Sequence, residues 1–117
     1  MGSDQRRFDR IPQPFETKCR RIHELLKPWI AALTRDLSAA GMCVQSNERF
    51  EIGALLDIQI ELPNVPGVLH LQGRVVWQRG WSVVEYGVEF LEITPDQQAQ
   101  IDEIVQFLKK RHHPPGP

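Results

Sequence analysis

Leu56-Asp57-Ile58-Gln59-Ile60-Glu61-Leu62 alternates without a break, apolar at each even position and polar between. Successive side chains of a strand point to opposite faces, so this is the period of a strand with one buried and one wet face. Outward from it, Pro63-Asn64 and Pro66-Gly67 punctuate the chain. Leu69, Leu71, Gly73, Val75 and Trp77 make a second alternating run, which places Trp77 on the core face and is followed by a turn near Arg79-Gly80. Val83 to Phe90 reads as a third strand, with Tyr86, Val88 and Phe90 sharing a face. Gly73 and Gly87 inside these strands predict bends or bulges, which help a sheet curl toward closure.

Toward the N-terminus the pattern is looser. Met42, Cys43 and Val44 read as a strand ended by Ser46-Asn47-Glu48. Asp36 to Gly41 reads as a turn before it, because Asp and Ser side chains bond back to nearby backbone and Gly41 can take a positive φ. Pro28 breaks any helix through Glu24–Lys27, and a strand is expected from near Trp29 toward Thr34. Phe15, Thr17 and Cys19 would share one face of a first strand. Residues 1–14 lack apolar periodicity and close on Ile11-Pro12-Gln13-Pro14, which bars a helix and predicts an exposed, flexible, arginine-bearing arm.

The C-terminal end is a helix. Thr94-Pro95-Asp96-Gln97 combines an N-cap threonine, a first-turn proline and a capping-box glutamine. Ile101, Ile104, Val105 and Leu108 follow at helical spacing and must pack on something. Lys109, Lys110 and Arg111 complement the negative end of the helix dipole. Pro114 and Pro115 end it, leaving residues 112–117 as a disordered tail. Short strands with one terminal helix predict a small barrel or curled sheet over 15–111, flanked or plugged by that helix.

The chain of 117 residues is the length of one domain. Its 41% hydrophobic and 25% charged residues are those of a water-soluble protein. A net charge of −1 argues against binding a nucleic-acid polymer, which needs a large positive field. Locally the balance differs: over residues 1–21, Arg6, Arg7, Arg10, Lys18, Arg20 and Arg21 face only Asp4, Asp9 and Glu16. A small anion would be drawn there. No run of about 18 apolar residues marks a membrane span, and no secretory leader is visible. Cys19 and Cys43, far apart, read as free thiols. The expected location is the cytoplasm.

Two short patterns carry chemistry. Arg6-Arg7-Phe8-Asp9-Arg10 sets two arginines in an RxxxR. Guanidinium groups are planar, permanently charged, and fork two hydrogen bonds onto a phosphate or a base edge. Alone, this is also what a solvated basic arm shows. Asp36-Leu37-Ser38-Ala39-Ala40-Gly41 is a DxSxxG, whose carboxylate can accept from the N–H edge of guanine while the hydroxyl and turn amides meet a phosphate. Alone, it is also an ordinary turn.

In this order and about 25 residues apart, the two patterns resemble the PilZ domain, a bacterial receptor module for cyclic di-GMP. Gly73-Arg74-Val75-Val76-Trp77 and Tyr86-Gly87-Val88-Glu89-Phe90 are similar to the family's later strands, and its terminal helix also has a counterpart. The resemblance runs from Arg6 to about Leu108 and implies an all-β, six-stranded antiparallel barrel with a C-terminal α-helix. It implies that Arg6 and Arg10 contact phosphates and guanine faces, and that Asp36 and Ser38 contact guanine edge and phosphate. Gly41 would keep the turn open to close approach, and Arg7 would add an outer contact. The expected ligand is cyclic di-GMP, with no cofactor. The expected partner is a protein of a motility, pilus or exopolysaccharide system, reached when the ligand orders the arm.

The rival is a barrel of the same family acting as a protein-interaction adaptor without nucleotide; its usual mark, a missing RxxxR or DxSxxG, is not found here. Catalysis is not expected: Ser38 has neither GxSxG context nor evident His–Asp support. No metal site is expected, since His112-His113 lack further ligands and His23 and His70 stand apart. Trp81, beside a turn, is the tryptophan best placed for an interface.

Overall fold

The computed structural model describes residues 9–61 and 67–112. They form β1 (Asp9–Arg21), β2 (Ile30–Leu37), β3 (Gly41–Ser46), β4 (Leu55–Ile60), β5 (Leu69–Arg79), β6 (Val84–Phe90) and α1 (Pro95–His112). All neighbouring strands are antiparallel, and they close into a barrel in the order β1-β2-β3-β6-β5-β4. Among the described residues, closure leaves no edge strand to pair with another chain.

The alternating residues become the barrel's filling. Leu56, Ile58 and Ile60 of β4, Leu71 and Val75 of β5, and Val84, Tyr86 and Val88 of β6 are all buried. Cys19, Ala32, Leu37, Met42 and Val44 complete the interior from β1, β2 and β3. One polar pair sits among them: the hydroxyls of Thr17 and Thr34 hydrogen-bond each other, so neither is left unsatisfied. Ile101 and Val105 of α1 are buried in the same core, with Ile104 and Leu108 packed at its margin. The helix lies against β1. The capping box is made in both directions: Gln97 N–H donates to Thr94 Oγ1 at 3.1 Å, and Thr94 N–H donates to Gln97 Oε1 at 3.0 Å. Among the described residues, no helix is long and apolar enough to cross a membrane.

Four expectations need correction. The strand expected from Phe15 begins at Asp9, so residues 9–14, assigned to the arm, are β1 backbone. Residues 1–8 lie outside the described residues, as do Leu62–Pro66 and the tail beyond His112. Pro12 and Pro14 leave their mark differently: β1 and β2 slip register between Arg10 and Phe15, where two residues without N–H cannot sustain a ladder. Asp36 belongs to β2 and not to the turn.

Gly41 opens β3 and is not in the left-handed region, which among the described glycines holds Gly53, Gly67 and Gly80. Gly80, at φ 108°, makes the expected β5–β6 turn.

Trp77 is the fourth correction. The β5–β6 register slips between Val75 and Trp77, with Val75 opposite Val88 but Trp77 opposite Gly87. One extra residue, Val76, reverses the alternation, and Trp77 lands on the outer face. Gly73 and Gly87 serve this packing by making room. A methyl group on Gly73 would overlap Val88 and approach Ile58 inside the barrel, whereas one on Gly87 would overlap the Trp77 indole outside it.

Candidate functional site

Strand register builds a row across the outer face of the barrel. Arg10 of β1 stands opposite Asp36 of β2, Asp36 opposite Cys43 of β3, Cys43 opposite Gly87 of β6, and Gly87 opposite Trp77 of β5. These pairings run perpendicular to the strands, so residues far apart in sequence lie along one line. The two motifs therefore converge at the Arg10–Asp36 pair, 26 residues apart in the chain and neighbours in the sheet. Arg6 and Arg7 lie outside the described residues.

A bulge tunes this end of the row. Thr34 pairs with Val44 and Asp36 with Cys43, so Arg35 is an extra residue in β2. It keeps Thr34 and Leu37 both facing the core while Asp36 faces out. Beyond Leu37 the β2–β3 hairpin closes tightly. Ser38 N–H donates to Gly41 O at 2.9 Å and Gly41 N–H donates to Ser38 O at 3.3 Å. Ser38 Oγ accepts from Ala40 N–H at 3.1 Å, and Ala40 O accepts from Phe90 N–H at 3.0 Å, pinning the turn to the end of β6. The DxSxxG is thus half strand and half rigid hairpin, with the serine at the hairpin's closing pair.

The middle of the row is a floor. Cys43 is buried, and Gly87 contributes only backbone, over which the Trp77 indole lies. Burial pushes the Cys43 thiol up to about 11; the nearby charges of Glu85 and Asp36 add to this, while Arg79 and Arg35 oppose it. Those four groups are the charges that this floor senses.

Ion pairs flank the row on both sides. Arg74 holds Glu89 through Nη2 at 2.7 Å and Nε at 3.3 Å. On the other side, Arg79 Nε donates to Glu85 Oε1 at 2.7 Å, and Gln45 Nε2 donates to Glu85 Oε2 at 3.4 Å. The bond from Arg79 holds the Glu85 carboxyl below its ordinary pKa. The Arg79 guanidinium also stands 5.5 Å from the centroid of the Trp77 ring.

A flat aromatic surface, a carboxylate and several cations around one face suit a planar ligand with hydrogen-bonding edges and negative charge. Of the expected residues, the structure brings Asp36, Ser38 and Gly41 to this face and pairs the Arg10 backbone with Asp36. Sequence reading missed Trp77 and Gly87, because their outward placement depends on the β5–β6 bulge. Among the described residues no three His, Cys, Asp or Glu side chains come together as a metal site.

The opposite wall is different. A groove of about 630 Å³ runs there past Arg20, Trp29, Asp57, His70, Gln72 and Glu92. Arg20 stacks on Trp29 at 4.0 Å and donates to the carbonyls of Leu25 and Lys27 at 3.3 and 3.4 Å. Its cation is thus engaged in holding the loop that links β1 to β2.

A family model described as PilZ domain matches residues 4–107. No curated protein matches the sequence. Among solved structures, the chain is similar to the PilZ domain with c-di-GMP of YcgR from Escherichia coli. The two share 17% identity and a TM-score of 0.73, over 92% of this chain and 93% of that one. It is similar to the PilZ domain of CeSA from a cellulose-synthesizing bacterium at 18% identity and a TM-score of 0.62, over 86% and 97%. It is also similar to the Bacillus subtilis inhibitor of motility MotI/DgrA, at 18% identity and a TM-score of 0.64. There it covers 89% of itself and 49% of the longer protein. At such identities the likeness is one of fold.

Proposed function

This chain belongs to the PilZ domain family, and from that premise we propose that it is a receptor for cyclic di-GMP that takes the dinucleotide on the outer face of β2, β3 and β6. The observation that carries the reading is the register that sets Arg10 directly opposite Asp36. It brings both motifs to one place beside an aromatic floor. Membership in the family gives the ligand class, and the YcgR domain, itself solved with c-di-GMP, has this fold.

In this reading Arg6, Arg7 and Arg10 close over the ligand, forking hydrogen bonds onto its phosphates and guanine edges. Asp36 accepts from a guanine N–H edge. Ser38, whose oxygen already caps Ala40, donates its hydroxyl proton to a phosphate oxygen. The Ser38–Gly41 closing pair keeps that hydroxyl in place, and Gly41 adds no side chain to the approach. Trp77 offers a base the part of its ring that Arg79 leaves uncovered. Stacking on an aromatic side chain contributes about 1–3 kcal/mol per base, and charge-assisted hydrogen bonds roughly 1.5–3 kcal/mol each. After the cost of ordering the N-terminal segment, micromolar affinity, about −8 kcal/mol, is within reach.

The protein performs no chemistry on its ligand. Its output is a conformational one: residues N-terminal to β1 settle on the bound nucleotide and alter the surface shown to a protein partner of a motility, pilus or exopolysaccharide system in the bacterial cytoplasm. The shift is limited by the difference in ligand affinity between the two states.

Calorimetric titration with cyclic di-GMP tests the reading. Wild type binds at micromolar concentration or tighter, and Arg10→Ala, still folded by its circular dichroism spectrum, gives no heat. A folded wild type that gives no heat would overturn the receptor reading in favour of a nucleotide-free adaptor.

A further inference from the structure

Four arginines whose side chains the structure describes make ion pairs or stacking contacts on the outer surface, and they differ in what they leave free. Arg21 uses both terminal nitrogens, on Glu24, the Arg49 carbonyl and Glu51. Arg74 spends Nε and Nη2 on Glu89. Arg20 covers Trp29 and caps two carbonyls. Arg79 is anchored through Nε alone, on Glu85, and its two Nη groups bond to no described residue. Its side chain is 74% exposed although the pair geometry is short.

The anchor is itself held. Glu85 is only 20% exposed, takes the Gln45 amide on its other oxygen, and is kept ionised by Arg79. The guanidinium is thereby set over the margin of the Trp77 ring, 5.5 Å from its centroid. A base stacked, offset, on the part of the indole that Arg79 leaves uncovered would have one edge toward that guanidinium.

We propose that Arg79 is a further residue that reads guanine, its free Nη pair forking onto the O6 and N7 acceptors of the base stacked on Trp77, with Glu85 as its positioning residue. The inference rests on the receptor reading above. Guanine offers two acceptors on that edge. Adenine puts an N6 amino donor where O6 would be, so a guanidinium, which has no acceptor, meets it with repulsion. The site thereby takes a guanine dinucleotide over its adenine counterpart by a residue that neither sequence motif contains. A bidentate contact of this kind discriminates by roughly 10- to 100-fold.

The test is a titration of wild type, Arg79→Ala and Glu85→Gln with cyclic di-GMP and, separately, cyclic di-AMP, with thermal midpoints recorded for all three proteins. Arg79→Ala loses roughly 10- to 100-fold in affinity for cyclic di-GMP and does not lose affinity for cyclic di-AMP, so discrimination narrows by that factor at an unchanged midpoint. Glu85→Gln falls between wild type and Arg79→Ala. Equal loss for both nucleotides would make Arg79 a phosphate contact and overturn the base reading. Wild-type affinities in Arg79→Ala would remove it from the site altogether. A wild type that binds neither nucleotide would sink the receptor reading and this inference with it, a result distinct from the other two.

Discussion

Gly87 has no side chain, and the Trp77 indole occupies the space that one would fill. Gly87→Ala is therefore expected to lift the indole from the β6 backbone. Loss of a stacking platform worth about 1–3 kcal/mol should weaken cyclic di-GMP binding, with a shift in tryptophan emission. Unchanged affinity would mean that Trp77 is not part of the floor. The neighbouring Tyr86 supplies a control from the other face. Fully buried, it donates from Oη to Glu48 O at 2.7 Å and accepts from Phe50 N–H at 2.8 Å, with its ring edge-on to Phe50. Tyr86→Phe strands those backbone groups, so denaturant titration should show a loss of about 1–3 kcal/mol while ligand affinity holds. Adjacent residues of β6 thus separate stability from binding. The sequence showed Tyr86 as core by its alternation, and it marked Arg10 and Asp36 as candidates by their motifs. It misplaced Trp77, because the reversal depends on Val76 having no residue of β6 opposite it. No pattern within β5 alone contains that information.

At the scale of elements, the readable parts are those whose cause is local. The cap of α1 is written in four consecutive residues, and both of its hydrogen bonds form. Thr94→Ala should cost about 1 kcal/mol, seen as a lower midpoint in urea. A change within error would mean that the helix is held by Ile101 and Val105 alone. β4 was legible for the same reason, a period of two across its whole length. β1 was not. Pro12 and Pro14 read as the mark of an arm, yet prolines also sit where a ladder is locally broken, and the strand passes through them to Asp9. That extension is what carries Arg10 to Asp36. The same limit hid the Thr17–Thr34 hydroxyl pair, which needs two strands in register to exist.

For the molecule as a whole, closure of the barrel separates an inside that sets stability from two outer walls. Stability should respond to alkali through two buried thiols, Cys19 inside the barrel and Cys43 under the outer face. Burial raises the Cys19 thiol from 9.0 to about 12 and contributes to raising Cys43 to about 11. In the unfolded chain these thiols ionise first, so their contribution is full below the ordinary thiol pKa and is lost as pH rises toward the folded values. Urea midpoints should fall above about pH 9, and less steeply in Cys19→Ala; an equal slope in that variant would contradict the assignment.

Function, in the proposed reading, belongs to the wall that carries the Arg10–Asp36–Cys43–Gly87–Trp77 row. The measurement that tests this most directly is a cyclic di-GMP titration of ¹⁵N-labelled protein followed by its amide shifts. The account predicts that the amides of residues 36–43, Trp77 and Gly87 move together and saturate, while those of Asp57, His70 and Gln72 on the opposite wall stay in place. Saturating shifts centred on the opposite wall, or none anywhere, would contradict it.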